Sequence, residues 1–279
     1  MLASLMLYAW LALPPTPTWA KGLTAPQRQQ VMEAGAEDFC ACHSALTLAG
    51  CLQTRPGCAL ASQVATVLAR GVVAGAPLAS LRAVLAGQIM APLCAPPHSL
   101  AIPAGAPRLG PAEAPIQVVE FADFRCSHCR TAAPEVHRAI AALGTQASLV
   151  YLPISLQGHP AALEAAEAAL AAQAQGKFWP MHAALFAAAA DGDEAALAPA
   201  GLLACARQAR LDIPRFRREM AAHVHRGLQQ AMQAAATAVA LQGTPALFVN
   251  GRHFAWQPEL ISLAERLQME GGRDAAACQ

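Results

Sequence analysis

Charge is scarce in this 279-residue chain: 13% of residues are Asp, Glu, Lys or Arg, and they balance to a net charge of +1. So few scattered cations build no basic face, which argues against nucleic acid as a partner. Aromatic residues are also few, at 5% with two tyrosines. Much of the 55% hydrophobic fraction is alanine, which packs helices without marking a membrane. After the first twenty residues no run is long enough and free enough of charge to cross a bilayer. Positive charge is missing from the N-terminus too, since no Lys or Arg precedes Lys21. Even so, the apolar run at 2–13 and the small residues around Thr18-Trp19-Ala20 predict a signal peptide over 1–20, with Lys21 beginning the mature chain. A buried N-terminal helix is the alternative, opposed by Pro14, Pro15 and Pro17.

Cysteine is what the chain has in excess. Cys40, Cys42, Cys51, Cys58, Cys94, Cys126, Cys129, Cys205 and Cys278 are many for a cytosolic protein. They point to disulfides and an oxidising, extracytoplasmic location such as the periplasm, anchored if the leader is retained. The length gives a prior of two domains.

Residues 21–93 read as a small Cys-rich all-α module, with helices at 26–39, 59–73 and 77–89. Leu78, Leu81, Leu85 and Ile89 form one apolar stripe in the last. So small a core gains most from disulfides. Cys40 and Cys42 are too close for an unstrained mutual bridge, so each is expected to pair among Cys51, Cys58 and Cys94. The alternative is a thiophilic metal held by these thiolates and His43. Cys40-Ala41-Cys42-His43 is one residue short of a haem-attachment sequence. The helical pattern loosely resembles the thiol domain of cytochrome c maturation proteins, but that family has C-x-x-C where this chain has C-x-C, and no residue is carried over.

Residues 94–115, rich in Pro and Gly, mark a linker with a short strand at 100–102. From 116 to 270 the pattern becomes α/β. A strand at 116–122 is followed by Cys126-Ser127-His128-Cys129, a helix to Leu143 and a strand at 148–154, which is a βαβ unit. An alanine-rich helical insertion spans about 160–241. Phe178, Met181 and Leu185 read as core residues of one helix there, and Leu202, Leu203 and Ala206 of another. Cys205 reads as a buried thiol. His223 and His225, two apart, face different ways, which disfavours a metal site. A strand at 246–249, an Asn250-Gly251 type I′ turn and a return strand at 252–255 follow. A last helix from 258 buries Leu260, Leu263, Ala264 and Leu267, and 271–279 is a flexible tail carrying Cys278.

A C-x-x-C can be half of a zinc site, a structural bridge or a redox dithiol. Zinc wants a second ligand pair, which this domain does not offer. At a strand-to-helix junction, free N–H groups and the helix dipole favour a Cys126 thiolate, and a protonated His128 would add to this.

Four blocks in order, Gly110 to Phe124, Cys126 to Cys129, Lys177 to Phe186 and Gly243 to Gly251, resemble the DsbA-type thioredoxin-fold proteins. The resemblance, which spans roughly 100–269, implies a thioredoxin fold with a helical insertion, and the small disulfide-stapled module read above precedes it. It makes Cys126 the attacking sulfur and Cys129 the buried resolving one. Pro245 becomes the cis-proline facing the dithiol, with Thr244 presenting backbone to an extended substrate, and Glu120 the buried acid beneath the pair. Ser127 stands where the archetypal oxidase has proline, and Thr244 where it has valine. The implied activity is thiol-disulfide exchange with cysteine-containing protein substrates, without a cofactor or metal, and with a membrane or soluble redox partner to recycle the dithiol. A homodimer is compatible with it. Oxidation, isomerisation, reduction for cytochrome c maturation and thiol-based metal binding all remain open at this level.

Overall fold

The computed structural model describes residues 16–40, 43–55, 57–157, 159–191, 194–254 and 261–271. Most of the expected leader, Cys42, Leu260 and Cys278 lie outside the described residues.

The N-terminal region is mainly helical. Helix α1 (Ala25–Ala34) opens on a capping box in which the Thr24 side chain accepts from Gln27 N–H and Gln27 reaches back to the Thr24 N–H. It does not run on to Phe39 as its pattern predicts. It stops at Gly35, where an added Cβ would lie 2.9 Å from Leu48 Cδ2, so the chain turns where Leu48 packs. A short hairpin follows, β1 (Phe39–Cys40) with β2 (His43–Thr47), and then an unexpected helix α2 (Leu48–Thr54). The region is therefore not all-α: Cys40 bonds to Cys51, and this bridge ties the hairpin to α2. Cys58 and Cys94 are disulfide-bonded as well.

Helix α3 (Ala59–Val73) has the expected bounds. The third predicted helix is longer, running as α4 (Leu78–Ala83), a π-helical segment (Val84–Met90) and α5 (Ala91–Cys94). Its stripe behaves as read, with Leu81, Leu85 and Ile89 buried. Trp19 and Ala20 are buried in the same core, where Thr18 Oγ1 lies 3.2 Å from Ser62 Oγ on α3.

The strand expected at 100–102 does not form; Leu100 and Ile102 instead lay their side chains on the neighbouring core. The edge strand is β3 (Arg108–Leu109), antiparallel to β5. Strands β4 (Ile116–Ala122) and β5 (Ala147–Pro153) are parallel and joined by α6 (Ser127–Leu143). The helical block contains α7 (Pro160–Gln173), α8 (Phe178–Ala188), α9 (Pro199–Gln208), α10 (Ile213–Ala221) and α11 (Arg226–Ala238). Strands β6 (Ala246–Val249) and β7 (Arg252–Phe254) and helix α12 (Leu263–Gly271) complete the domain. The five-stranded order is β3-β5-β4-β6-β7.

Helices α6 and α12 cover one sheet face through Val136, Ile140, Leu263 and Leu267 against Val118, Leu149 and Leu247. The other face, with Val119, Phe121, Val150 and Phe248, packs on Leu170 of α7 and Met232 of α11. Asn250 and Gly251 both adopt positive φ, as a type I′ turn needs. Glycine is also required there for space, since a Cβ at 251 would meet His98 O at 2.7 Å. Helix α12 begins at a second capping box, Ser262 with Glu265.

The N-terminal region docks on α12. Its core includes Ile261 and Met269, and Arg70 forms a two-pronged pair with Glu265 at 2.6 and 3.0 Å. Half-exposed pairs of this kind contribute little, whereas a bridge that closes a short loop restricts the unfolded chain substantially. Cys51→Ala is accordingly expected to cost about 3 kcal/mol, and Arg70→Ala less than about 1 kcal/mol. Denaturant unfolding of the two variants checks this ordering, and equal losses would contradict it.

Candidate active site

Strand β4 delivers the chain to α6 through Asp123-Phe124-Arg125. Asp123 has no exposed surface, and its carboxylate is fully engaged: Oδ1 accepts Arg125 N–H at 2.7 Å, while Oδ2 accepts Leu156 N–H at 2.8 Å and lies 2.9 Å from His159 Nδ1. Its carbonyl accepts Cys126 N–H at 3.0 Å. One buried side chain thus shapes the turn before the dithiol and ties it to the segment after β5. Asp123 belongs to a resembling block in the sequence but receives no role there. An Asp three residues before a helix-capping Cys was the available signal.

Cys126 is the N-cap of α6, with extended backbone angles, and is half-buried; Cys129, one turn on, is fully buried. Both are free thiols. The Cys126 thiol is pulled down to about 4, first by the hydrogen bond from the Cys129 thiol, then by the backbone N–H groups of Cys129 and His128, against the opposing effect of partial burial. The same bond and burial push the Cys129 thiol far up. His128 is exposed and contributes here through its backbone N–H. One sulfur is therefore held ready as thiolate while its neighbour keeps its proton.

Thr244 and Pro245, 118 residues further along, complete the surroundings. Their peptide bond is cis, and the Thr244 carbonyl oxygen lies 3.2 Å from Cys126 Sγ. A cavity of about 540 Å³ opens beside them, lined by His98, Leu241, Gln242 and Phe248. Glu120 is 1% exposed and lies in register with Tyr151 on β5, on the sheet face beneath α6. Burial raises its carboxyl to about 8, and its Oε1 has no hydrogen-bond partner.

Among the described residues, one group could approach a metal. Ligand atoms of Glu164, Glu167 and His223 lie within 4.8 Å of one another. The Arg226 guanidinium already occupies this cluster, 2.7 Å from Glu164 and 2.8 Å from Glu167, and supplies the positive charge that a cation would bring. His225 faces elsewhere, to Glu219 at 3.0 Å. Cys205 is buried, with its sulfur 3.6 Å from the Ala184 carbonyl. Cys40, Cys51, Cys58 and Cys94, being disulfide-bonded, offer no thiolate.

Two titrations follow. Alkylation of Cys126 is expected to lose its rate only as pH falls through about 4, which rate measurements across pH check. Glu120 keeps its proton to about pH 8 in the folded chain, against 4.5 for an ordinary glutamate. Between those values the folded state binds the extra proton, so this group's contribution to stability falls as pH rises, by about 1.4 kcal/mol per unit. Relative to the parent, Glu120→Gln should gain stability across that window, and a pH-independent difference in denaturation midpoint would contradict it.

The chain is 41% identical over 175 residues to the Na(+)/H(+) antiporter NhaA 3 of Salinispora tropica, a match covering 59% of this chain and 26% of that protein. It is 38% identical over 169 residues to Na(+)/H(+) antiporter NhaA 1 of Salinispora arenicola, covering 59% and 25%. The chain thus spans about a quarter of the length of the curated relatives it matches. Among solved structures, BdbD from Bacillus subtilis superposes with a TM-score of 0.57 at 19% identity, covering 63% of this chain and 97% of that one. The catalytic domain of Proteus mirabilis ScsC gives 0.52 at 17%, covering 62% and 93%. The family model described as thioredoxin matches residues 104–268, which hold the strand, dithiol helix, helical block and cis-proline turn: the chain belongs to the thioredoxin family, with a helical block inserted between β5 and β6.

Proposed function

We propose that this chain is an extracytoplasmic thiol-disulfide oxidoreductase that exchanges disulfides with cysteine-containing proteins through Cys126 and Cys129. The observation that carries the reading is the asymmetry of the pair: an accessible sulfur held as thiolate at a helix start, beside a buried thiol pushed the other way. In the oxidising direction a substrate thiolate attacks Cys126 of the Cys126–Cys129 disulfide. A mixed disulfide forms, and Cys129 leaves as thiolate and takes a proton from Glu120. A second substrate thiolate then attacks the substrate sulfur, and Cys126 departs. The substrate dithiol is oxidised, the protein dithiol is reduced, and a redox partner must reoxidise it.

Stabilising the Cys126 thiolate stabilises the reduced form and makes it a good leaving group, which favours oxidation of substrate. Thr244 offers its carbonyl beside Cys126, where an extended substrate can lie along the backbone. The disulfides of the N-terminal region support an oxidising compartment. The antiport named for the sequence relatives is not carried over, since the match covers 26% of the first of them.

Cys126→Ser is expected to abolish exchange with a reduced substrate protein, and Cys129→Ser, given a disulfide-bonded substrate protein, to attack that bridge through its Cys126 thiolate, release one substrate thiolate and accumulate a mixed disulfide at Cys126 visible by mass. Retained turnover in Cys126→Ser would overturn the reading. The reduction potential of the pair tests the direction: a value near the roughly −270 mV of thioredoxin would exclude oxidation as the role, because about 30 mV already corresponds to 1.4 kcal/mol.

A further inference from the structure

Glu120, if it exchanges a proton with Cys129 in each turnover, must regain or release that proton although it is almost fully buried. Tyr151 sits across from it in the parallel register of β4 and β5, so both side chains point to the face under α6. The Tyr151 hydroxyl has no hydrogen-bond partner and feels the charges of Glu120, Cys129, Asp123 and Cys126. Its ring meets that of His182 on α8 nearly at right angles, with centroids 4.9 Å apart. His182 in turn stacks on His137 at 5.3 Å. His137 lies on α6, eight residues after Cys129 and so on the same flank, and reaches the surface half-buried. His182 Nε2 and His137 Nε2 also lack partners.

We propose that Tyr151, His182 and His137 are a proton relay joining Glu120 to solvent along the flank of the dithiol helix. The proposal rests on the thiol-exchange reading above. A purely structural core does not need these groups. Phe and Leu would fill the same space, whereas each buried polar atom without a partner costs about 1–3 kcal/mol. Buried polar atoms in native proteins are nearly always satisfied, by protein or by ordered water, and the relay requires such waters for the links that the rings do not make directly. Phe124, Phe178, Trp179 and Phe186 wall the path around His182.

The chemistry balances without net charge on the relay. When Cys129 leaves as thiolate it takes the Glu120 proton. Glu120 then takes one from the Tyr151 side, Tyr151 is reprotonated from His182, and His182 accepts at one nitrogen as it donates from the other. Burial holds His182 down to about 3, so it stays neutral and passes protons rather than storing them. The titratable groups facing the path are Glu120 and Asp123 at β4, Cys126, Cys129 and His137 from α6, Tyr151 from β5 and His182 from α8.

The test measures reduction of the full chain's Cys126–Cys129 disulfide by dithiothreitol, across pH and in heavy water. Tyr151→Phe and His182→Leu are expected to slow this by roughly a hundredfold, the lower range of positioned proton transfer. A larger solvent isotope effect and a changed pH profile should accompany the loss, with the Cys126 alkylation midpoint unchanged. Parental rates and pH profile in Tyr151→Phe would overturn the relay while leaving thiol exchange standing. Tyr151→Phe removes one atom and carries the test even where His182→Leu does not fold. A parent chain that is not reduced at all would instead overturn the exchange reading, and the relay with it.

Discussion

The hydrogen bond that the buried Cys129 thiol gives to the Cys126 sulfur, in the first turn of α6, sets the charge state on which the rest of the site depends. That bond exists because two cysteines three apart share one turn of a helix that begins at Cys126. The same start leaves the amides of His128 and Cys129 free to face the sulfur. Shifting the helix start by one residue would remove these donors together.

The start is in turn held by Asp123. A fully buried carboxylate is costly unless its oxygens are engaged, and here the partners come from both sides of the site: the turn before Cys126 and the segment leading into α7. The dithiol is therefore fastened to the helical insertion as well as to the central strand. Thr244 and Pro245 reach it from the far end of the chain because β6 pairs antiparallel with β4, bringing the turn before β6 to the end of β4 that carries Cys126.

Beneath the pair the core is unusually polar for so apolar a chain. Glu120, Tyr151, His182 and His137 each bury an atom without a protein partner. Their setting is otherwise well packed, with four aromatic rings around His182. Stability alone does not explain this arrangement, because apolar residues of similar size would pack there without the penalty. Burial alone raises the Glu120 carboxyl, so that it keeps its proton near neutral pH.

Local rules made much of the thioredoxin domain legible from sequence. The β-branched run of β4, the Asn250-Gly251 turn and the helical period after Cys126 depend on neighbours within a few residues, and each element forms where its pattern places it. The N-terminal hairpin was not legible, because Gly35 ends α1 only where Leu48 needs its space, and the Cys40–Cys51 bridge is a pairing in space. The strand expected at 100–102 failed for a similar reason: β5 found its edge partner at Arg108 instead. By itself the sequence determined the dithiol, the helix that opens on it and the order of strands and helices around it, since these follow from local spacing and propensity. Only the tertiary structure decided that Glu120 is interior, that Asp123 clamps the loop, and that Tyr151, His182 and His137 meet beneath α6. Burial and desolvation are properties of the packed whole, and no spacing along a chain encodes them directly.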